Sequence, residues 1–306
     1  MGQEGELENT RTMAARPIGL IGLGLLGSAL AERMLRAGFQ VAGFDLEETR
    51  CAEHVARGGR AALIREIAVQ PTIVLCLPDS QVVANVVDQL LPLLSANTLM
   101  IDATTGDPDD TAALAARLQS QHIAYIDATV GGSSQQVREG SSIVMAGGAA
   151  EPIAAAKDVL DSWGRQWFHV GPPSSGARMK LVLNLALGLQ RAVLAEALAL
   201  ATASGIDPAV ALQILRAGPA FAACMETKGP KMLAADFTPQ ARLAQHYKDV
   251  GLIQALAARS GVEVPLSNTH AEILQRAIAL GWGDADNSAI LCAYQNRPCS
   301  KEGAWG

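Results

Sequence analysis

The tightest constraint on the fold is a glycine-spaced turn near the start of the chain, Gly22-Leu23-Gly24-Leu25-Leu26-Gly27. It follows the apolar run "PIGLI" and opens a helical stretch ending near Gly38. The first glycine permits a sharp turn out of a strand, and the second lets backbone approach a pyrophosphate. The third lets the helix pack closely on its strand, with the helix N-terminus facing the phosphates. By itself such spacing also describes any tight strand-to-helix turn. Here a second strand-like run, "FQVAGFD", places Asp45 eighteen residues after Gly27, where an acid that binds a ribose is expected. The segment therefore reads as a dinucleotide-binding unit contacted by Gly22, Leu23, Gly24, Leu25, Leu26, Gly27 and Asp45. Asp45 followed by Glu47 and Glu48 would repel a 2′-phosphate, which favours NAD over NADP. Arg50 pulls the other way, since an arginine nearby can pair with that phosphate. A turn or cap residue is the competing reading of Asp45.

Beyond the turn, short β-rich runs alternate with helical patterns from Pro17 to about His169. The strand candidates are "IGLI", "VAGF", "TIVLCL", "TLMID", "IAYID" and "SIVMA". Such alternation predicts an α/β fold with a Rossmann-type doubly wound, largely parallel sheet. The tetrapeptide IDAT occurs at 101–104 and 126–129, and both copies are expected at carboxyl ends of strands, where open α/β sheets bind ligands. After "HVGPPSSG" nothing strand-like appears from Met179 to about Leu280, so the second domain is expected to be all helix. Asp207-Pro208 reads as a helix start, and Gly261 and Gly281 as stops. The expected organisation is a disordered tail over 1–16, a dinucleotide-binding domain over 17–171, an all-helical substrate and dimerisation domain over 172–296, and a tail over 297–306.

Several classes of function are disfavoured. The net charge of −6, with no run of basic residues, lacks the electrostatic footprint that nucleic acid or an acidic membrane demands. Five cysteines, at 51, 76, 224, 292 and 299, form no CxxC pair, which suggests a reducing cytoplasm rather than a disulfide framework. Cys51 with His54 is the one close Cys/His pair, too few ligands for a metal site, so none is expected. The run from Met179 to Ser204 is long and apolar enough to span a bilayer. It carries Asn184, Gln190, Arg191 and Glu196, and reads instead as a buried helix.

Seven stretches in order, "GLIGLGLLG", "CLPDS", "IDATTGDP", "DATVGGSSQQVREGSSIVMAGG", "HVGPPSSGARMKLVLN", "YKDVGL" and "GDADNSA", make the chain resemble the 3-hydroxyisobutyrate dehydrogenase-like (β-hydroxyacid dehydrogenase) family. That family is related to 6-phosphogluconate dehydrogenase and tartronate semialdehyde reductase. The resemblance covers nearly all of Pro17 to Tyr294. It implies an NAD(P)-dependent oxidoreductase that moves a hydride between the nicotinamide and a small β-hydroxy acid or its semialdehyde. It further implies Lys180 as catalytic general acid/base, Asn184 as a substrate ligand, and the Gly131-Gly132-Ser133 loop as a carboxylate cradle. Leu77, Pro78, Thr104, Thr105 and Lys248 are implied as cofactor contacts, and a homodimer or homotetramer as the assembly.

Spacing agrees in part. Lys180 and Asn184 are four apart and share a helix face. A lysine among apolar neighbours can be lowered from about 10.4 toward the ~7 to 8 useful for proton transfer. From spacing alone Lys180 reads equally well as an exposed lysine in the first turn of a helix, Lys248 as a surface lysine, and Asn184 as a local hydrogen-bonding residue. Two departures from the family pattern bear on substrate choice: Gly131 stands where the family usually has serine, and Leu183 where many relatives have asparagine. Ser133 or Ser134 is a candidate replacement for that hydroxyl. Specificity is expected around Met225, Lys228 and Tyr247, while Phe221 and Trp282 fit either site or core. The competing functions are an imine or aldehyde reductase on the same fold, and a catalytically silent dinucleotide-binding protein.

Overall fold

The computed structural model describes residues 16–295. The expected tails, apart from Arg16, and Cys299 lie outside the described residues. The first part of the chain builds an eight-stranded sheet in the order β3-β2-β1-β4-β5-β6-β7-β8. Its strands are β1 (Pro17–Ile21), β2 (Gln40–Phe44), β3 (Arg60–Ala61), β4 (Thr72–Leu75), β5 (Leu99–Asp102), β6 (Ala124–Gly131), β7 (Ile143–Gly147) and β8 (Gln166–Gly171). All neighbours are parallel except β6 and β7. The order of the first six is that of a doubly wound dinucleotide-binding sheet.

The helices of this part are α1 (Leu25–Arg36), α2 (Glu48–Ala56), α3 (Ile64–Ala68), α4 (Ser80–Leu90), α5 (Pro108–Gln119), α6 (Ser134–Glu139) and α7 (Ala150–Trp163). They cover both faces of the sheet, which is why its central strands read as unbroken apolar runs. Ile18, Leu20, Val74 and Ile101 point into one core with Leu30 and Met34 of α1 and Trp163 of α7. Ile21, Ile73, Leu75 and Met100 point into the other with Ile67 of α3, Val87 of α4 and Leu118 of α5.

Three features differ from the sequence expectation. β3 is two exposed residues at the sheet edge and carries no apolar run to reveal it. β8, "QWFHVG", is a half-exposed edge strand whose polar positions hid it. The first IDAT does end a strand, since β5 stops at Asp102, but the second lies inside β6. There Asp127 pairs in register with Asp102 and faces protein rather than a ligand crevice.

The remaining chain is helical among the described residues, apart from an isolated bridge between Arg242 and Asp286. It opens with α8 (Ser175–Ala203) and continues through α9 (Pro208–Ala217), α10 (Cys224–Thr227), α11 (Gly229–Ala234), α12 (Leu243–Ser260), α13 (Pro265–Ala277) and α14 (Leu291–Gln295). Asp207 caps α9 by accepting from the Ala209 N–H, and Gly261 ends α12 in the left-handed conformation. α8 is long and apolar enough to cross a membrane, yet it joins two packed bodies. Its first turns lie on β6 and β7, and Leu194, Ala195 and Leu198 anchor the helical core.

The start of α8 is held by a carboxylate from the sheet. Ser174 precedes the helix with φ 74° and makes no side-chain cap. Asp127 of β6 supplies that function from 47 residues away, accepting from the Ser174 and Ala177 N–H groups at 2.7 Å each. A negative charge at a helix N-terminus is favourable. Burial nevertheless pushes the Asp127 carboxyl up to about 6 against those bonds.

Lys228 and Met225 are corrections to the expected specificity region. The Lys228 amine donates to both oxygens of Asp286 at 2.8 and 3.0 Å inside the helical domain, and Met225 belongs to the core beside it. Trp282 packs edge-on against Phe237, whereas Phe221 is exposed.

Candidate active site

The crevice between the ends of β1 and β4, neighbours whose crossovers leave in opposite directions, is where such sheets bind ligands. Gly22 lies there at φ 97°, and a Cβ on it would stand 2.1 Å from the Cys76 carbonyl. A Cβ on Gly27 would stand 1.9 Å from the Gly22 carbonyl, so only glycine lets α1 approach its strand this closely. Gly24 precedes α1 and gives no side-chain cap. The first-turn N–H groups at Leu25 and Leu26 are thus in the setting that receives a pyrophosphate. These residues fit the expected cofactor.

Asp45 closes this end of the crevice. Its Oδ2 accepts from the Leu23 N–H at 2.8 Å and its Oδ1 from Glu47 N–H at 3.0 Å. Arg50 reaches the same carboxylate at 3.4 Å and Glu47 at 2.7 Å, leaning over Gly24. The acid and the arginine that compete in the sequence reading are paired with one another.

The other end of the crevice is built from the turns after β4 and β5. The Leu77 N–H donates to Thr104 Oγ1 at 3.0 Å, and the Thr104 N–H donates to Asp102 at 2.8 Å. Asp102 also accepts from the Tyr125 hydroxyl at 3.0 Å, and burial raises its pKa above the usual carboxylate range. Lys248 of α12 spans the two turns, donating to the carbonyls of Pro78 at 3.0 Å and Thr105 at 2.6 Å. Leu77, Pro78, Thr104, Thr105 and Lys248 therefore form one hydrogen-bonded unit across the domain junction.

Lys180 stands on the second turn of α8, and its Nζ donates to the Val130 carbonyl of β6 at 2.6 Å. Desolvation lowers its pKa, Lys248 adds to that effect, and Asp249 opposes it. Asn184, one turn further along, donates through Nδ2 to Asp249 Oδ2 at 2.9 Å. Asp249 is buried, with its pKa raised chiefly by desolvation, and its other oxygen lies 3.5 Å from the Lys248 amine. Sequence reading singled out Lys248 in "YKDVGL" and passed over Asp249. The signal was available as a carboxylate next to the lysine, spaced to share the buried face of α12 with His246 and Ile253.

Gly131 is the last residue of β6, paired with Ile143 of β7, and Gly132 and Ser133 follow it directly. Gly131 abuts Leu183 of α8, and Gly132 has φ 147°. Ser133 caps α6: its N–H donates to Gln136 Oε1 at 2.9 Å and its Oγ accepts from the Gln136 N–H at 3.3 Å. Ser134 is buried in the first turn of α6.

A family model described as the NAD binding domain of 6-phosphogluconate dehydrogenase matches residues 17–171. A second, described as NAD-binding of NADP-dependent 3-hydroxyisobutyrate dehydrogenase, matches residues 174–294. The chain belongs to the β-hydroxyacid dehydrogenase family. It is an NAD(P)-dependent oxidoreductase acting on CH–OH groups. Similar curated proteins include 2-(hydroxymethyl)glutarate dehydrogenase of Eubacterium barkeri, 30% identical over 91% of this chain and 94% of that protein. The 3-sulfolactaldehyde reductase of Escherichia coli K12 is 31% identical over 90% of this chain and 94% of its own length. Among solved structures, 3-hydroxyisobutyrate dehydrogenase of Salmonella typhimurium superposes with a TM-score of 0.84 at 28% identity, covering 90% of this dehydrogenase and 99% of that chain.

Proposed function

We propose that the enzyme interconverts a small β-hydroxy acid and its semialdehyde, with Lys180 as general acid/base and NAD preferred over NADP. The observation that carries this reading is the setting of the Lys180 amine. Desolvation lowers its pKa, and the Val130 carbonyl orients it at the junction of the two domains. In oxidation the neutral amine takes the substrate hydroxyl proton through its lone pair. In reduction the ammonium form returns a proton to the carbonyl oxygen. Asn184, turned by Asp249, offers its second amide N–H to the reacting oxygen. Backbone N–H groups of the Gly131-Gly132 turn receive the carboxylate. The first turn of α1 holds the pyrophosphate, Asp45 the ribose, and the Lys248-bridged turns the nicotinamide end. A bound nicotinamide supplies the hydride exchange.

The test follows NADH absorbance against a panel of β-hydroxy acids and semialdehydes, with both cofactors. Turnover with at least one acid, faster with NAD, is expected. In Lys180→Ala it should fall by roughly 10²- to 10⁴-fold while cofactor affinity holds. Equal turnover in the variant would end the assignment. Free thiols at Cys51, Cys76 and Cys224 support a reducing, cytoplasmic setting. Met179, Val182, Val193 and Leu200 form an exposed apolar stripe along α8, which supports a homodimer or homotetramer. Sedimentation as a monomer at micromolar concentration would contradict that assembly.

A further inference from the structure

We propose that Leu183, backed by Ile143, makes the wall beside Gly131 apolar. The enzyme thereby selects β-hydroxy acids whose α-carbon carries hydrogen or alkyl over those carrying hydroxyl or amino there. This rests on the reading that the substrate carboxylate docks at Gly131 and Gly132 beside Lys180.

Backbone conformation does not require the glycine at 131, because unlike Gly132 it lies outside the positive-φ region. Neighbouring side chains crowd it instead. A Cβ there would meet Leu183 Cδ2 at 2.7 Å, Ile143 Cγ1 at 2.9 Å and Ile143 Cδ1 at 3.3 Å, so these side chains would have to shift to admit it. The two departures from the family pattern, Gly131 and Leu183, are therefore one feature: the leucine methyl crowds the position that a serine side chain would enter.

The placement of Leu183 gives this contact its consequence. It lies three residues after Lys180 and one before Asn184 on α8. Lys180 and Leu183 both meet β6 at 130–131, whereas Asn184 turns to Asp249 of α12. The helix thus presents Asn184 toward α12, and toward β6 both the Lys180 amine and the apolar Leu183.

Two neighbouring hydroxyl protons are already engaged. Thr129 donates to the Gly176 carbonyl at 2.9 Å and Ser142 to the Trp163 carbonyl at 2.8 Å. A hydroxyl or amine on the α-carbon would be stripped of water against Leu183 and Ile143, whose side chains offer no hydrogen bond in return, while a methyl would fill the same space at no such cost.

The experiment measures binding and turnover together. Isobutyrate and lactate differ by a methyl in place of a hydroxyl on the α-carbon, and their binding to the enzyme–NADH complex can be read by NADH fluorescence. Isobutyrate is expected to bind tighter by roughly 10- to 100-fold, and Leu183→Asn to shrink that ratio about tenfold. Equal binding, tighter lactate, binding by neither acid, or an unchanged ratio in the variant overturns the proposal. The same preference is expected in kcat/KM for α-methyl against α-hydroxy substrates. Turnover of both alike overturns the wall and leaves the reaction standing. The binding preference without turnover of any hydroxy acid removes the reaction and leaves the wall. A stability cycle guards against variants that merely misfold. Gly131→Ala should lower the melting temperature, and Leu183→Ala in the same chain should relieve part of that loss. Additive losses would remove the contact that the proposal needs.

Discussion

Lowering the pH should unfasten the helical domain at a pair of buried histidines. His246 of α12 and His270 of α13 have ring centroids 5.3 Å apart and pack over Gly188 of α8, with Nε2 of each unpartnered. Burial, followed by the nearby Arg191 charge, lowers His270 from 6.5 to about 4 and holds His246 well below its ordinary value. The unfolded chain takes these protons near 6.5, while the folded one resists. Stability is therefore complete above that pH and is lost as pH falls toward 4. For His270 alone the linkage amounts to about 2 kcal/mol at about pH 5 and about 3 kcal/mol at about pH 4. His246 adds a loss of the same sign. Asp127 opposes both: its folded pKa is raised, so the folded state binds the proton first and gains about 1.4 kcal/mol at about pH 5. The clean comparison is wild type with His270→Gln, each unfolded in urea at about pH 8 and about pH 5, because the difference of differences isolates one imidazole. The variant should lose about 2 kcal/mol less than wild type between those conditions. Equal losses in the two proteins would refute the reasoning.

Two further perturbations test other parts of the structure. Lys228→Met leaves the Asp286 carboxylate fully buried without its ammonium partner, and the urea midpoint should fall by the equivalent of about 3 to 5 kcal/mol. Asp45→Ala releases Arg50 from its carboxylate partner and removes the charge that repels a 2′-phosphate. The ratio of kcat/KM for NADP over NAD should rise by roughly tenfold, about 1.4 kcal/mol; an unchanged ratio would reduce Asp45 to a turn residue.

Much of the dinucleotide domain was legible because its information is local. The glycine turn, the apolar runs of β1, β2, β4 and β5, and Asp45 all lie within short windows where periodicity and turn chemistry speak directly. What stayed hidden depends on partners far along the chain. The two IDAT tetrapeptides are identical, yet Asp102 binds its own loop through the Thr104 N–H, while Asp127 caps a helix that begins 48 residues later. Lys228 looked available for substrate because Asp286, 58 residues on, gives no local sign that it will meet it. Ser133 resembled a free hydroxyl until α6 formed and required its cap. Gly131 and Leu183 were visible as separate departures, and only the fold showed that they touch.

The length of α8 has a mechanical consequence. Its 29 residues make a rod of about 44 Å at 1.5 Å per residue, gripped at the sheet end by Asp127. Lys180 lies about 8 Å from that grip, near the fulcrum, while the far end lies under the helical domain. A tilt of about 5° would carry the far end through about 4 Å but move the backbone at Lys180 by under about 1 Å. A rocking of the helical domain by that angle would therefore leave the backbone bearing the amine close to its place beside the sheet.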